Sequence, residues 1–248
     1  MSLDPRRLEE LSLNSSAPPG QLLYDGWLLR LQPGKAKRAR SVNAVYPSTL
    51  PLDAKVAYCE RLYAEAGLPA IFRITPFCTP PGLDAELERR GYGIFDYTAV
   101  ESARLEAEPQ RGEGVVEIAL SPWIDAVGDL RGSSPEQRAG HRARIEGCAL
   151  QRCCVAILED GQVVATGLSI VEDGAAGLFD IVTHAGHRRK GLARRVVTEL
   201  LARAWATGVR DAYLQVDRDN TPARKLYAQF GFAERYLYWY RGREGERH

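Results

Sequence analysis

Residues 175–185, AAGLFDIVTHA, read as a strand, and 192–207 has the apolar spacing of an amphipathic helix that ends at Gly208. Residues 211–217, DAYLQVD, then read as a second strand. A strand, a helix and a strand in succession share one sheet only if the helix crosses over it, so part of this sheet is expected to be parallel or mixed. Between the first strand and the helix lies HRRKGLARR, at 187–195. Arg188, Arg189, Lys190, Arg194 and Arg195 therefore sit at a helix N-terminus, where the dipole is already positive. Cations cost free energy there unless an anion is present, and the amides of a first helical turn favour phosphate. Gly191 allows close backbone approach and Ala193 keeps the turn uncrowded. The segment reads as a pyrophosphate cradle with flanking cations. The plainer alternative is a solvated surface with incidental charge, with or without salt bridges to nearby carboxylates.

The net charge is +1, so any basic feature is local and no global field draws in nucleic acid or an anionic membrane. The first residues, MSLDPRRLEE, carry no apolar core of a secretory signal. The longest unbroken apolar run, 153–158, is too short for a bilayer. The five cysteines include no CxxC pair, which argues against a disulfide framework or a metal site and for a reduced, cytoplasmic setting.

The first half reads strand (22–31), basic loop (34–41), strand (42–47), helix capped by Asp53 and stopped at Gly67, strand (70–75), helix (82–91) and strand (92–102). Residues 102–114 are polar with Pro and Gly and form the best linker, so the expected units are 1–108 and 109–248. The second half opens with a strand at 115–120 and a helix capped by Ser121 with Pro122 in its first turn. The helix at 135–149 is rich in charge, and His141 with it reads as part of an exposed face. Asp160-Gly161 between apolar runs predicts a hairpin. A helix follows at 220–230 and a strand at 232–241. LERRGYGIFDYTAVES and YAQFGFAERYLYWYR share a helix end, a Gly-aromatic step and a strand, which hints at an internal duplication.

A Walker A loop is excluded, because Leu192 and Ala193 stand where Lys and Ser/Thr are needed, and GxGxxG is absent. Arg188-Arg-Lys-Gly191-Leu-Ala193 instead resembles the Arg/Gln-x-x-Gly-x-Gly/Ala motif of the GNAT N-acetyltransferases. LQVDRDNTPARKLYAQFGF (214–232) is similar to that family's C-terminal motif, with Asn220 at the helix start, Ala223 after it and Tyr227 before the Gly-Phe step. The resemblance covers 115–241 and implies an α+β acyl-CoA N-acyltransferase fold with a mixed sheet.

The resemblance also implies acetyl transfer from acetyl-CoA to a primary amine by direct attack in a ternary complex, without a metal. It places the amides of Arg188, Arg189, Lys190, Gly191, Leu192 and Ala193 on the pyrophosphate, and Ile181, Val182 and Thr183 along the pantetheine arm. Asn220, Ala223 and Tyr227 join the cofactor site, with Tyr227 as proton donor to the leaving thiolate. From the residues alone, Asn220 is also a natural helix cap and Tyr227 a core residue. Asp180, a carboxylate in the cofactor strand, is the candidate base or substrate anchor, set against a structural hydrogen bond or an exposed edge. His184 reads as a solvated loop residue and Glu172 as a turn residue.

The first half lacks a glycine-basic loop between strand and helix. It looks like the degenerate first repeat of a tandem GNAT protein. It also resembles a bacterial group in which Gly-Trp-Leu-Leu-Arg and Ser-Val-Asn segments, here 26–30 and 41–43, precede the acetyltransferase domain. Such a half would shape the acceptor cleft between the halves. The rivals are a nucleic-acid-binding module using basic loops 34–40 and 187–195, and a CoA-binding regulator without catalysis. The acceptor is a small-molecule or peptide amine that no segment encodes: amino sugar, polyamine, amino acid, antibiotic or protein N-terminus. Oligomeric state is likewise not encoded.

Overall fold

A computed structural model describes residues 3–34 and 36–245. Met1, Ser2 and Lys35, the last within the basic segment 34–40, lie outside the described residues.

The elements run α1 (Pro5–Ser15), β1 (Gln21–Tyr24), β2 (Trp27–Arg30), β3 (Val42–Ala44), α2 (Leu52–Glu65), β4 (Phe72–Ile74), α3 (Leu83–Arg89) and β5 (Gly93–Arg104). The second half continues β6 (Val116–Glu117), α4 (Leu120–Arg131), α5 (Pro135–Glu146), β7 (Gln151–Glu159), β8 (Gln162–Glu172) and β9 (Ala175–Thr183). It closes with α6 (Leu192–Ala206), β10 (Asp211–Asp217), α7 (Thr221–Ala228) and β11 (Ala233–Gly242).

One mixed sheet runs through both halves in the order β1-β2-β3-β4-β11-β5-β10-β9-β8-β7-β6. Two strands are interleaved between the halves. β5, from the first half, lies between β10 and β11 and pairs antiparallel with both. β11, from the second half, lies between β4 and β5. The presumed linker therefore begins later than expected, because Ser102–Arg104 are paired in β5 and only the residues after them cross between halves.

The interleaved region is sealed by α1, whose Leu8 and Leu11 pack with Ile71, Val100, Tyr213, Tyr236, Tyr238 and Tyr240. The helix starts where Asp4 accepts from the Arg6 amide, with Pro5 in its first turn. Glu9, on the same helix, is buried against Arg73 of β4 and accepts from the Tyr236 hydroxyl of β11 at 2.7 Å. One carboxylate thus joins α1 to strands from both halves. Behind the second half, α6 turns Leu192, Val196, Val197, Leu200 and Leu201 onto Val155, Leu178 and Leu214. Each such side chain contributes roughly 2 kcal/mol of transfer free energy.

Several local expectations shift. The strand expected at 22–31 is a hairpin, turned at Asp25 and Gly26, both with positive φ. Gly26 is required there because a Cβ would collide with the carbonyls of Tyr46 and Pro47. Asp53 lies inside the first turn of α2, after the cap Pro51, and pairs with Arg90. Residues 115–120 form only a two-residue strand, and α4 starts from Ala119 without a side-chain cap, so Ser121 is internal. The Asp160-Gly161 hairpin is present between β7 and β8.

Replacing Glu9 with Ala leaves the Arg73 guanidinium buried and unpaired, so unfolding free energy should fall by roughly 3 kcal/mol. Urea titration followed by far-UV dichroism and tryptophan fluorescence should show one coincident transition in wild type, since Trp27 and Trp205 report on halves that share a sheet. Two separated transitions would contradict the interleaving.

Candidate active site

β9 and β10 are hydrogen-bonded as parallel strands only where Ala175–Leu178 face Asp211–Leu214. Beyond that they separate. The cause lies in the β8–β9 ladder, where Thr166 pairs with Val182 and Leu168 with Phe179, leaving Asp180 and Ile181 opposite Gly167 alone. This is a bulge, which bends its strand and releases it from its neighbour. Asp180 carries the positive φ of the bulge, +48°. Gly167 leaves room for α6 to lie on this point, since a Cβ there would enter Val196 and Leu200.

The separation opens a cleft of about 340 Å³. Leu178, Phe179, Asp180 and Ile181 form one wall, and Leu214 through Asp217 the other. Asn220, Ala223 and Tyr227 line it from α7 and its cap. Ser16, Ala36, Arg38 and Ala39 reach it from the first half, so both halves build it. Of the three strand residues expected along a cofactor, Ile181 lines the cleft, while Val182 and Thr183 continue β9 beyond it. No strand pairs with the cleft-side edge of 179–183 among the described residues.

The strand leads into a short 3-10 turn at Ala185–His187, in which His184 accepts from the Gly186 amide, and then into α6. Gly191 is the N-cap of α6 in the left-handed region, φ +74°, and a Cβ built on it meets nothing within 4 Å. The amides of Leu192, Ala193 and Arg194 have no acceptor among the described residues, as a helix start requires. Arg188, Arg189 and Arg194 are exposed and make no ion pair among the described residues, so no salt bridge accounts for their charges. Lys190 contacts His187 at 3.4 Å and makes no ion pair among the described residues. Arg195 is different: its Nε donates to the Glu113 carbonyl at 2.6 Å and ties the crossing segment to α6. The sequence-predicted cluster therefore divides into free cations at the loop and one structural arginine.

On α7, Asn220 Oδ1 accepts from the Ala223 amide at 3.2 Å, so Asn220 caps the helix and lines the cleft at once. Tyr227 is buried, its ring against Phe232. Burial, aided by the charge of Glu101, pushes its phenol up to about 12. The hydroxyl thus keeps its proton throughout the neutral range.

Asp180 is neither an edge residue nor solvated; its side chain is 7% exposed. It pairs with Arg131 at 2.6 Å and with Nε2 of His141 at 2.9 Å. Burial alone would raise its carboxyl. The His141 hydrogen bond and the charges of Arg131 and Arg144 outweigh that and hold it well below the usual carboxylate range. A carboxylate stabilised in this way is a weak proton acceptor, and its contacts are those of the structural hydrogen bond weighed against the base and anchor roles. The partner side chains were not legible as site residues. α5 does carry an exposed charged face, where Arg138 and Arg142 pair with Asp129 and Asp125 of α4, but its opposite face turns His141 and Arg144 inward. The helical spacing of 141 and 144 was the signal available.

Several described residues of the basic segment 34–40 also turn toward the protein. Lys37 pairs with Asp96, Arg40 is buried and Arg38 lines the cleft. No described helix is long and apolar enough to cross a membrane.

Asp180→Asn should lower stability at neutral pH by roughly 2–3 kcal/mol, because Arg131 and His141 lose their shared anion. The folded carboxyl titrates below its unfolded counterpart, so its contribution is complete above pH ~4 and disappears as pH falls further. Urea unfolding of both proteins between pH 7 and pH 3 should show the gap constant down to about pH 4 and beginning to narrow below it, without closing in this range.

The profile of the Acetyltransferase (GNAT) family matches residues 115–232. The chain is 30% identical over 238 residues to the uncharacterized N-acetyltransferase YobR of Bacillus subtilis, covering 93% of this chain and 95% of that protein. The structure is similar to a GCN5-related N-acetyltransferase from Kribbella flavida, with a TM-score of 0.68, 17% identity and coverage of 99% and 97%. It is also similar to a tandem GNAT protein from the clavulanic acid biosynthesis pathway, with a TM-score of 0.57, 15% identity and coverage of 76% and 68%. At these identities the two structures speak for the fold.

Proposed function

The chain belongs to the GNAT acetyltransferase family and is an acyltransferase with that family's mixed-sheet fold; on this footing we propose that it transfers the acetyl group of acetyl-CoA to a primary amine within a ternary complex. The observation that carries this reading is the cradle at Gly191. Unpaired amides, free cations and open space meet where the strand that lines the cleft runs into α6. Pyrophosphate suits such a place, because its charge answers both the cations and the helix dipole.

Arg188, Arg189, Lys190, Gly191, Leu192 and Ala193 would hold the phosphates. The unpaired edge of β9 at Ile181, Val182 and Thr183 would take the pantetheine amides as a sheet takes a further strand. Ile181, Asn220, Ala223 and Tyr227 would enclose the acyl end. Bound there, acetyl-CoA supplies a thioester activated for attack. The amine nitrogen bonds to the acetyl carbon as the carbon–sulfur bond breaks. Tyr227 gives its proton to the sulfur and regains one from the proton the amine releases. A phenol held protonated suits that donation. Asp180 keeps Arg131 and His141 in place across the cleft. We assign residues 1–108 to shaping the acceptor side and 109–248 to cofactor binding and transfer, with strands exchanged between them. All five cysteines are free, which suits the reducing cytoplasm.

Thermal unfolding with acetyl-CoA, desulfo-CoA and ATP tests the cradle. Acetyl-CoA and desulfo-CoA should raise the midpoint as their concentration passes Kd, and ATP should do so weakly. Gly191→Asp, which places a carboxylate among the phosphates and strains a left-handed position, should abolish the shift. No shift at millimolar acetyl-CoA in wild type would refute the acetyltransferase reading. Tyr227→Phe should lower kcat about 100-fold while leaving the acetyl-CoA affinity within about twofold.

A further inference from the structure

Three arginines line the cleft, none of them from the Gly191 loop. Arg38 reaches it from the segment before β3, Arg131 from the end of α4 and Arg144 from the last turn of α5. The carboxylate set against them is Asp180, which Arg131 and His141 already engage. Asp217, on the opposite wall, is exposed and accepts from the Asp219 amide. Arg144 makes no hydrogen bond or ion pair among the described residues and feels Asp180 only at longer range, against the repulsion of Arg38 and Arg131. Arg38 Nη1 is buried with no hydrogen-bond partner.

Two guanidinium groups thus face a half-enclosed space within range of each other and without an anion between them. An arrangement of this kind is costly when empty and is relieved by an oxyanion, which a planar guanidinium binds in a paired fashion. Helix-dipole complementarity accounts for an arginine in the last turn of α5, but not for its turning into the cleft beside a second one. The loop cations at 188–190 do not compete for this role, since none of them lines the cleft.

Resting on the acetyltransferase reading, we propose that the acceptor is an amine that also carries a carboxylate or phosphate, and that Arg38 and Arg144 hold this oxyanion. Arg131 remains with Asp180. The amine then projects toward the wall of Asp180 and Ile181, where the strand bulges. Polyamines and neutral amino sugars are disfavoured by the same charges that select the acidic acceptor. Because Arg38 comes from the first half, that half sets acceptor charge directly.

Oxyanion binding is measured first, by calorimetry with inorganic phosphate and with acetate on protein saturated with desulfo-CoA, so that the loop site is already filled. Saturable binding of at least one is expected. It should weaken at least tenfold in Arg38→Gln and in Arg144→Gln and persist in Arg188→Gln. The two Gln variants lie on different elements, and an unchanged desulfo-CoA affinity shows that each is folded. Preference for acetate points to amino acids or peptide C-termini, and preference for phosphate to aminoalkyl or amino-sugar phosphates. A panel of amines is then acetylated in matched pairs, each acid beside its amide or dephosphorylated counterpart, together with spermidine. The best acceptor should be acidic, and its KM should rise at least tenfold in Arg144→Gln with the acetyl-CoA KM unchanged. Absence of saturable oxyanion binding overturns the proposal, as does a neutral or polycationic best acceptor. Failure of desulfo-CoA itself to bind counts instead against the acetyltransferase reading.

Discussion

The exchange of β5 and β11 between the halves is the constraint on which the rest depends. β5 completes the second half's sheet beside β10, and β11 fills the space between β4 and β5. Neither half can rotate or slide against the other without breaking ladder hydrogen bonds on both sides of these strands. That fixes the basic segment before β3 opposite α4 and α5, and it sets the distance across the cleft. Glu9 reinforces the exchange from above, because its carboxylate is shared by a strand of each half. The cleft is therefore walled by rigid sheet on two sides and closed at its far end by side chains brought in by the fold.

The bulge at Asp180 adds the second element. A regular β9 would continue to pair with β10 and leave no opening. The extra residue needs a backbone conformation that is uncommon outside glycine, and the Arg131 and His141 contacts hold the side chain that goes with it. Opening of the sheet and placement of a buried charge beside the cleft thus come from a single residue. Gly167 on the neighbouring strand permits α6 to press on the same point, so the helix that starts at Gly191 is positioned from the bulge as well.

Much of the second half was legible because its signals are local. The strand–loop–helix order, the Asp160-Gly161 turn, the cap at Asn220 and the glycine at the start of α6 each depend on neighbours in sequence, and each appears where the pattern places it. The free cations at 188, 189 and 194 follow from the same local geometry. What was not legible depends on pairing over long sequence separations. Nothing in GIFDYTAVESAR tells it to insert between β10 and β11, since its alternation suits either edge. For the same reason Arg38 reads as part of a basic loop, and His141 and Arg144 as part of a charged helix; their inward orientation is set by a sheet whose strand order crosses between the halves. Arg195 shows the reverse error, a residue that belongs to the basic motif by position yet serves to fasten the crossing segment.

The interleaving also bears on how the chain reaches this state during synthesis. Once β4 and β5 have emerged from the ribosome, each presents an open edge whose proper neighbour, β11, is made much later. The edges must stay apart until α6, β10 and α7 have been produced, or they will pair with each other or with a second nascent chain. α1 is made first and offers Leu8, Leu11 and Glu9 as early shelter for part of this surface. Assembly of this architecture is thus a matter of timing: the first half waits as an unfinished sheet until the strand that completes it has been made.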